Sequence, residues 1–480
     1  MQKNKQRKLS KKRKKQLSKI FNKLGQTRLV NELEKSNSVN NFKLYSVKDI
    51  LKDIPGYSIF RSSQGLTITN SITNQIVNSF LPNTDYVTTV SGYMDLINNI
   101  KKTGSINNIS PSPISFRQRY KRYSGEDLTN KSVLICRQGG LGDIVATQMI
   151  IKYLKYLYPT CHIIYATSNT SKHIINNYWP KGLVNKVVEI PFEAQILDTT
   201  DYHIFFEGLI ERAFDSKNYP VHALFLESMG FDNLDLTELS KNFKPELIIN
   251  QQLVDNNLKN LISPNTIGIH PFASVITRTM SIDMILDLIS VIAEIGYNIA
   301  IFCDPNNIED VHIKNMVLSE VSKNYRIGSK IIDVSAYCNT IDNYLYLLSL
   351  LYGLITVDSS AAHFASALGI PTSVVSGSFS GESVYYLINN VVWENAYEHR
   401  HASKLCDKAA CHYHASIIGK CPCLKQKKIP ICMTSQMHNS VVIIERLLNL
   451  IETNKRDDIR IDYIKDYVIT HTTTNKINGE

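Results

Sequence analysis

From Lys131 onward the hydrophobic residues fall into short runs of four to six, separated by longer stretches in which apolar positions recur every three or four residues. Runs of that length bounded by turn residues predict buried strands, and the periodic stretches predict helices. "SVLIC", "HIIYAT", "KVVEI" and "YHIFFEG" give a first set of strands; "TIGIHP", "NIAIFCD", "KIIDVS", "LITVDS" and "TSVVSG" give a second. Strands alternating with helices are the signature of βαβ units around a parallel sheet. Between the sets lies "NFKPELIINQQLVDNNLKNLISPN", polar, Asn-rich and carrying prolines, which reads as the crossing between two domains. The expected fold class is therefore α/β, with two doubly wound parallel-sheet domains, 126–250 and 262–400, facing a cleft. A small accessory α+β region precedes them over 31–125, with β-prone pieces "YSIFR" and "GLTIT", a helix near "GYMDLINNIKK" and no chemistry that can be named. A Cys/His-rich loop over 401–435, a helix over 436–455 that includes "NSVVIIERLLNLIE" and a polar tail over 456–480 complete the chain.

At 480 residues with 43% hydrophobic content, the chain is long enough for two or three domains with cores of their own. No apolar run reaches the roughly 18 to 20 residues of a membrane span, and the first thirty residues lack the apolar stretch of a secretory signal. The expected location is cytoplasmic. The net charge of +10 is local, because residues 1–30 carry twelve Lys or Arg and no Asp or Glu. A body so close to neutral argues against a large nucleic-acid groove in the folded part. In the tail, Leu17, Ile20, Phe21 and Leu24 share one face at helical spacing, so it reads either as a solvated arm or as a basic amphipathic helix. Its candidate partners are an anionic surface at the inner face of a membrane, or nucleic acid.

Candidate chemistry starts at "VLICRQGGLGDIVATQMIIKYL", where Gly139, Gly140 and Gly142 follow a strand and open a helix. Bare backbone there lets a ligand come close and leaves helix N-terminal N–H groups available. The spacing is neither that of a P-loop nor G-x-G-x-x-G. Asp143 sits at the first helical turn, where a carboxylate caps the helix and stabilises its macrodipole by about 0.3–1 kcal/mol. At the carboxyl end of a parallel strand the same carboxylate can also face a ligand crevice and act as general base. Cap and base are compatible.

In "LLYGLITVDSSAAHFASALGIPTSVVSGS" a strand ends at Asp358, and a small-residue loop of Ser359, Ser360 and Ala361 leads to His363, which is expected to begin a helix that stops at Gly369-Ile370-Pro371. Two hydroxyls and the N–H groups of a new helix make a cradle that binds a diphosphate without a metal. A lone His in such a helix is otherwise a structural residue. "TIGIHPFASVITRTMSID" carries Arg278, either a surface residue or a cation suited to charge on a departing diphosphate.

Taken with its lead-in, "GEDLTNKSVLICRQGGLGDIVATQMIIKYLKYLYPTCHI" resembles the amino-terminal signature of glycosyltransferase family 9, the heptosyltransferase-like enzymes of the GT-B fold. The second half is similar to that family's D-[ST]-x-x-x-H-x-x-x-A-L-G-x-P box. Arg278 matches the family's basic residue near the sugar-nucleotide phosphates, whereas Phe272 stands where a glycine is usual and Met280-Ser281 where Trp-Pro is usual. The resemblance covers about 125–450. It implies two Rossmann-like domains and an inverting transfer of a heptose or hexose from a nucleotide-diphosphate donor to a glycan, lipid-linked saccharide or protein. Asp143 is then the catalytic base, and Arg278, Asp358, Ser359, Ser360, Ala361 and His363 bind the donor. No Asp in the chain is followed two positions later by another, so the D-x-D metal box is missing and no catalytic metal is expected. The rival reading is a GT-B binding or structural protein that has lost its chemistry and is anchored by its basic tail.

Five of the nine cysteines, Cys406, Cys411, Cys421, Cys423 and Cys432, crowd into one segment with His412 and His414. These are ligand types for a structural zinc, at spacings that match no standard finger. The other reading is a reduced loop before the last helix.

Overall fold

A computed structural model of the chain describes residues 57–89, 109–207, 221–395 and 431–453, apart from short gaps within these stretches. The basic arm, the helix expected near 92–102 and Cys406, Cys411, Cys421 and Cys423 lie outside the described residues. The chain forms two compact units, neither of them contiguous: Met1–Gln138 with Tyr158–Lys172 and Val184–Phe214, and Gly139–Leu157 with His173–Leu183 and Asp215–Glu480.

The first unit contains a parallel sheet in the order β10-β6-β7-β8, built from β6 (Ser132–Cys136), β7 (His162–Thr167), β8 (Lys186–Glu189) and β10 (Tyr202–Phe205). These are the four strands expected from the apolar runs. The accessory segment supplies β1 (Tyr57–Ser62), β4 (Thr84–Thr89) and β5 (Ile109–Pro111), and a hairpin of β2 (Leu66–Thr69) and β3 (Ile76–Phe80). After a cis Ile190–Pro191 peptide, β9 (Phe192–Glu193) pairs antiparallel with β4, so the antiparallel sheet runs β5-β1-β4-β9. The accessory strands and the parallel sheet share one core. Tyr57, Ile59, Val87 and Phe116 pack with Leu134, Cys136, Ala166, Val188 and Phe205. Tyr57 is fully buried, meets Phe205 edge-on at 4.6 Å, and its hydroxyl accepts a hydrogen bond from the Cys136 thiol at 3.1 Å. At the carboxyl ends of β6 and β10, buried Arg137 donates to the Phe206 carbonyl at 3.0 Å, and the Gln138 N–H donates to Glu207 at 2.9 Å.

The second unit carries six parallel strands in the order β13-β12-β11-β14-β15-β16. They are β11 (Thr266–His270), β12 (Asn298–Ile301), β13 (Ile331–Asp333), β14 (Gly353–Val357), β15 (Thr372–Ser376) and β16 (Val391–Asn395). The chain winds outward from β11 through β13, then restarts beside β11 with β14 and winds the other way. That is the 3-2-1-4-5-6 order of nucleotide-binding doubly wound sheets. Helix α1 (Leu141–Leu157) belongs to this unit and packs on α3 (Ser360–Ala367), with α2 (Ile282–Glu294) between them in sequence. Gln148 pins α1 to the linker through both amide ends: its Nε2 donates to the Glu246 carbonyl at 2.8 Å and its Oε1 accepts from the Glu246 N–H. The last helix, Ser440–Thr453, runs against α2 and the strands β14 to β16, and joins the main apolar cluster through Ile443, Ile444 and Leu447.

Because Tyr57 sits at zero exposure among side chains of both sheets of its unit, Tyr57→Ala is expected to cost about 3–5 kcal/mol, the scale of an aromatic truncation in a core. Denaturant melts of the full chain measure this; a loss under about 1 kcal/mol would mean that the accessory strands do not share that core.

Candidate active site

In open parallel sheets, ligands bind outside the carboxyl ends of the strands where the winding reverses. In the second unit that point lies between β11 and β14. The loop after β11 carries Arg278, in a short 3-10 turn over Ile276–Arg278, and β14 runs into Asp358, Ser359 and the start of α3. Arg278 Nη1 donates to Asp358 Oδ2 at 3.1 Å, and Nη2 donates to the Ser274 hydroxyl at 3.3 Å. The other oxygen of Asp358 accepts from the Tyr385 hydroxyl at 2.9 Å. Two residues expected at a donor site, Arg278 and Asp358, thus meet directly. Tyr385 was not visible from spacing: no motif surrounds it, and only the return of α4 (Gly381–Tyr385) after β15 brings it here.

Helix α3 begins at Ser360, three residues before the start expected from sequence, so His363 lies in its first turn. The small residues Ser359, Ser360 and Ala361 allow the earlier start. Ser359 is the N-cap in extended conformation, and its side chain makes no capping bond; its hydroxyl lies 3.5 Å from that of Thr356. The cap hydroxyl is therefore not engaged with the helix; in its first turn the Ala362 N–H donates to the Ser359 carbonyl at 3.2 Å, while those of Ser360 and Ala361 have no carbonyl of their own helix to reach.

His363 is buried, its ring tilted against Tyr385 with centroids 5.1 Å apart. Its Nδ1 has no hydrogen-bond partner among the described residues. Burial lowers its pKa, and Arg278 acts in the same direction, against the opposing pull of Asp358 and Asp143. The outcome is a neutral imidazole beside two carboxylates.

The glycine loop reaches the same place. A Cβ at Gly142 would lie 2.5 Å from His363 Cδ2, so the backbone of α1 approaches the imidazole as closely as only glycine permits. Gly140 is different: a Cβ there meets only Asp143 Oδ2 at 3.7 Å. Asp143 does cap the helix. The Gly140 N–H donates to Asp143 Oδ2 at 3.1 Å, and the Asp143 N–H donates to the Gly140 carbonyl at 2.9 Å, a reach-back from the third helical position to the N-cap. Asp143, Arg278, Asp358 and His363 therefore form one electrostatic neighbourhood within a single unit.

The departures from the family pattern are absorbed by packing. Phe272 and Met280 are buried, and the Met280 N–H donates to the Pro271 carbonyl at 2.9 Å, closing the loop that carries Arg278. Ser281 is the N-cap of α2, accepting from the Met284 N–H at 3.4 Å, and its own N–H donates to the Met433 carbonyl. Of the five clustered cysteines only Cys432 is described; it is buried in the apolar cluster with Met433 and Met437. Among the described residues no group of three or more His, Cys, Asp and Glu could hold a metal ion, and no helix there is long and apolar enough to cross a membrane.

No family model matches the chain, and no curated protein matches it in sequence. Solved structures do match. A glycosyl transferase family 9 protein from Veillonella parvula is 15% identical, with a TM-score of 0.48 over 68% of this chain and 98% of that one. The ADP-heptose LPS heptosyltransferase II of E. coli is 15% identical, TM-score 0.39, over 55% and 90% of the two chains. The dodecameric iron-containing heptosyltransferase TibC of E. coli, solved with ADP-D-beta-D-heptose, is 11% identical, TM-score 0.43, over 83% and 92%. At these identities and scores the likenesses assign no chemistry to this chain, which rests on its own residues.

At Gly142, an alanine gains up to about 1 kcal/mol of helix propensity and loses about 1–3 kcal/mol to overpacking against a ring hemmed in by Tyr385. Gly142→Ala is thus expected to lower the melting temperature by more than Gly140→Ala, which meets no close atom and gives up only the N-cap preference for glycine; a smaller loss in Gly142→Ala than in Gly140→Ala would refute the contact.

His270, at the end of β11, is packed between Phe302 and Tyr344, and burial lowers its pKa to about 4. The unfolded chain, with a pKa near 6.5, then binds the proton first as pH falls. The contribution of His270 is fully present above about pH 6.5 and is lost progressively toward pH 4. His270→Phe should flatten the acid side of a melting-temperature profile between those values, whereas an unaltered slope would show that His270 titrates normally.

Proposed function

We propose that the chain is a metal-independent, inverting glycosyltransferase that moves a heptose or hexose from a nucleotide-diphosphate donor to a hydroxyl of a glycan, lipid-linked saccharide or protein. The observation that carries the reading is the pairing of Arg278 with Asp358 at the winding reversal of a 3-2-1-4-5-6 sheet, beside the start of α3. A guanidinium and a row of peptide N–H groups suit a pyrophosphate and require no cation between them.

In this mechanism the acceptor oxygen attacks the anomeric carbon from the face opposite the leaving group, and Asp143 takes its proton. The anomeric C–O bond breaks with its electron pair passing to the terminal phosphate oxygen of the nucleoside diphosphate. Arg278 and the first-turn amides of α3, with Ser359, Ser360 and Ala361, stabilise that charge where it develops. The neutral His363 adds a donor or acceptor without adding a proton to the site. The rival reading, an inactive binding protein, drew its support from Phe272 and Met280-Ser281. That support weakens, because these side chains serve the core and the cap of α2. The basic arm of residues 1–30 would supply contact with an anionic membrane surface or nucleic acid, and a structural zinc at Cys406, Cys411, Cys421, Cys423 and Cys432 remains a separate proposal, tested by metal analysis of the purified chain.

Asp143→Asn tests the base directly, since the amide oxygen still accepts from the Gly140 N–H and the helix cap survives. Transfer, read as a mass shift of acceptor with a panel of nucleotide sugars that includes ADP-heptose, should fall by roughly 100- to 10,000-fold, while calorimetric donor affinity stays at the wild-type value. Turnover equal to wild type would remove Asp143 from the role.

A further inference from the structure

Asp358 is a buried carboxylate held from two sides, and the second holder, Tyr385, is unexplained by the reaction above. Its ring is fully buried in an apolar cluster with Ala362 of α3, Val374 of β15, Val384 and Ile388, and Val391 of β16. A phenol needs no carboxylate to be satisfied in such a place, and an apolar core needs no phenol. The helix that carries it is equally fixed: a Cβ at Gly381 would lie 2.6 Å from the Trp393 side chain, so α4 is seated directly on β16. Rigid backing on one side and a charged partner on the other are what orienting a carboxylate requires. Burial above all, and then the Asp358 charge, raise the Tyr385 pKa well above its ordinary value, so the hydroxyl remains a donor throughout the working range of pH.

We propose that Tyr385 is a positioning residue of the donor site: its hydroxyl fixes Oδ1 of Asp358 so that Oδ2 holds the Arg278 guanidinium in the orientation that receives the diphosphate. The inference rests on the donor-site reading given above. Without the phenolic hydrogen bond, the carboxylate can rotate about its Cβ–Cγ bond, and the fork of Arg278 loses its fixed direction. The Tyr385 hydroxyl is also hydrogen-bonded to the Ser359 backbone at the start of α3, but its reach to Arg278 runs through Asp358 alone. The effect on diphosphate affinity assigned to it must therefore vanish when Arg278 is absent, which a role in stability alone would not produce.

The test is calorimetric titration of the full chain with ADP, GDP and UDP, for wild type, Tyr385→Phe, Arg278→Ala and the double variant, with melting curves alongside. The expected result is binding of at least one diphosphate by wild type, a loss of roughly tenfold in Tyr385→Phe, and no further loss when the same change is made in the Arg278→Ala chain. Equal affinity of wild type and Tyr385→Phe, or the same fold-loss with and without Arg278, overturns the positioning role and leaves the donor site standing. No binding of any of the three by wild type overturns both. Should Tyr385→Phe lose its native melting transition, Asp358→Asn replaces it: the amide keeps an oxygen for Tyr385 but turns an NH2 toward Arg278. The same loss of affinity is then required, and an unchanged affinity overturns the relay.

Discussion

The imidazole of His363 occupies the space that any side chain at Gly142 would need, and the second unit is organised around that contact. It brings the first turn of α1 against the first turn of α3, two helices more than two hundred residues apart in the chain. Each of those turns presents N–H groups and a carboxylate: Asp143 on one, Asp358 just before the other. Close approach of two positive helix ends is unfavourable by itself. The two carboxylates offset it, and the neutral ring between them introduces no further charge.

A buried carboxylate such as Asp358 survives desolvation only if its oxygens are occupied. Arg278 takes one and Tyr385 the other, so the group is satisfied before any ligand arrives. Arg278 in turn is only partly buried, with 17% of its side chain exposed. The arrangement is a cation fixed in advance by an internal carboxylate, and preorganisation of that kind is what makes charge stabilisation effective at the moment a bond breaks.

Much of this was legible in the residues, for identifiable reasons. Parallel strands buried on both faces are short apolar runs, so nine of the ten strands in the two parallel sheets stand out in the text, and the glycine loop and the Asp358 to Pro371 box fall where strand meets helix. What could not be read depends on partners distant in sequence. β16, "VVWEN", offers only three apolar residues before Glu394 and Asn395, and β9 is two residues long and pairs with β4, which lies about a hundred residues earlier in the chain. The grouping of α1 with the second unit is set by His363 and Glu246, not by the strand it follows. Tyr385 is one of 25 tyrosines, and nothing local separates it from the rest.

Where the loop after β11 departs from the motif, its shape has other sources. A glycine and a Trp-Pro pair would shape the loop after β11 through backbone freedom and a fixed φ. Here the loop is shaped by other means. Phe272 and Met280 are held by burial, the Met280 N–H closes back on Pro271, and Ser281 takes over the start of α2 with its hydroxyl while its N–H is tied to Met433. Two buried side chains and three hydrogen bonds thereby hold the loop, and the residue they deliver, Arg278, lies 3.1 Å from the carboxylate that orients it. For that loop the quantity that bears on anion binding is the placement of one guanidinium against one helix start, which residue identity in the loop does not report.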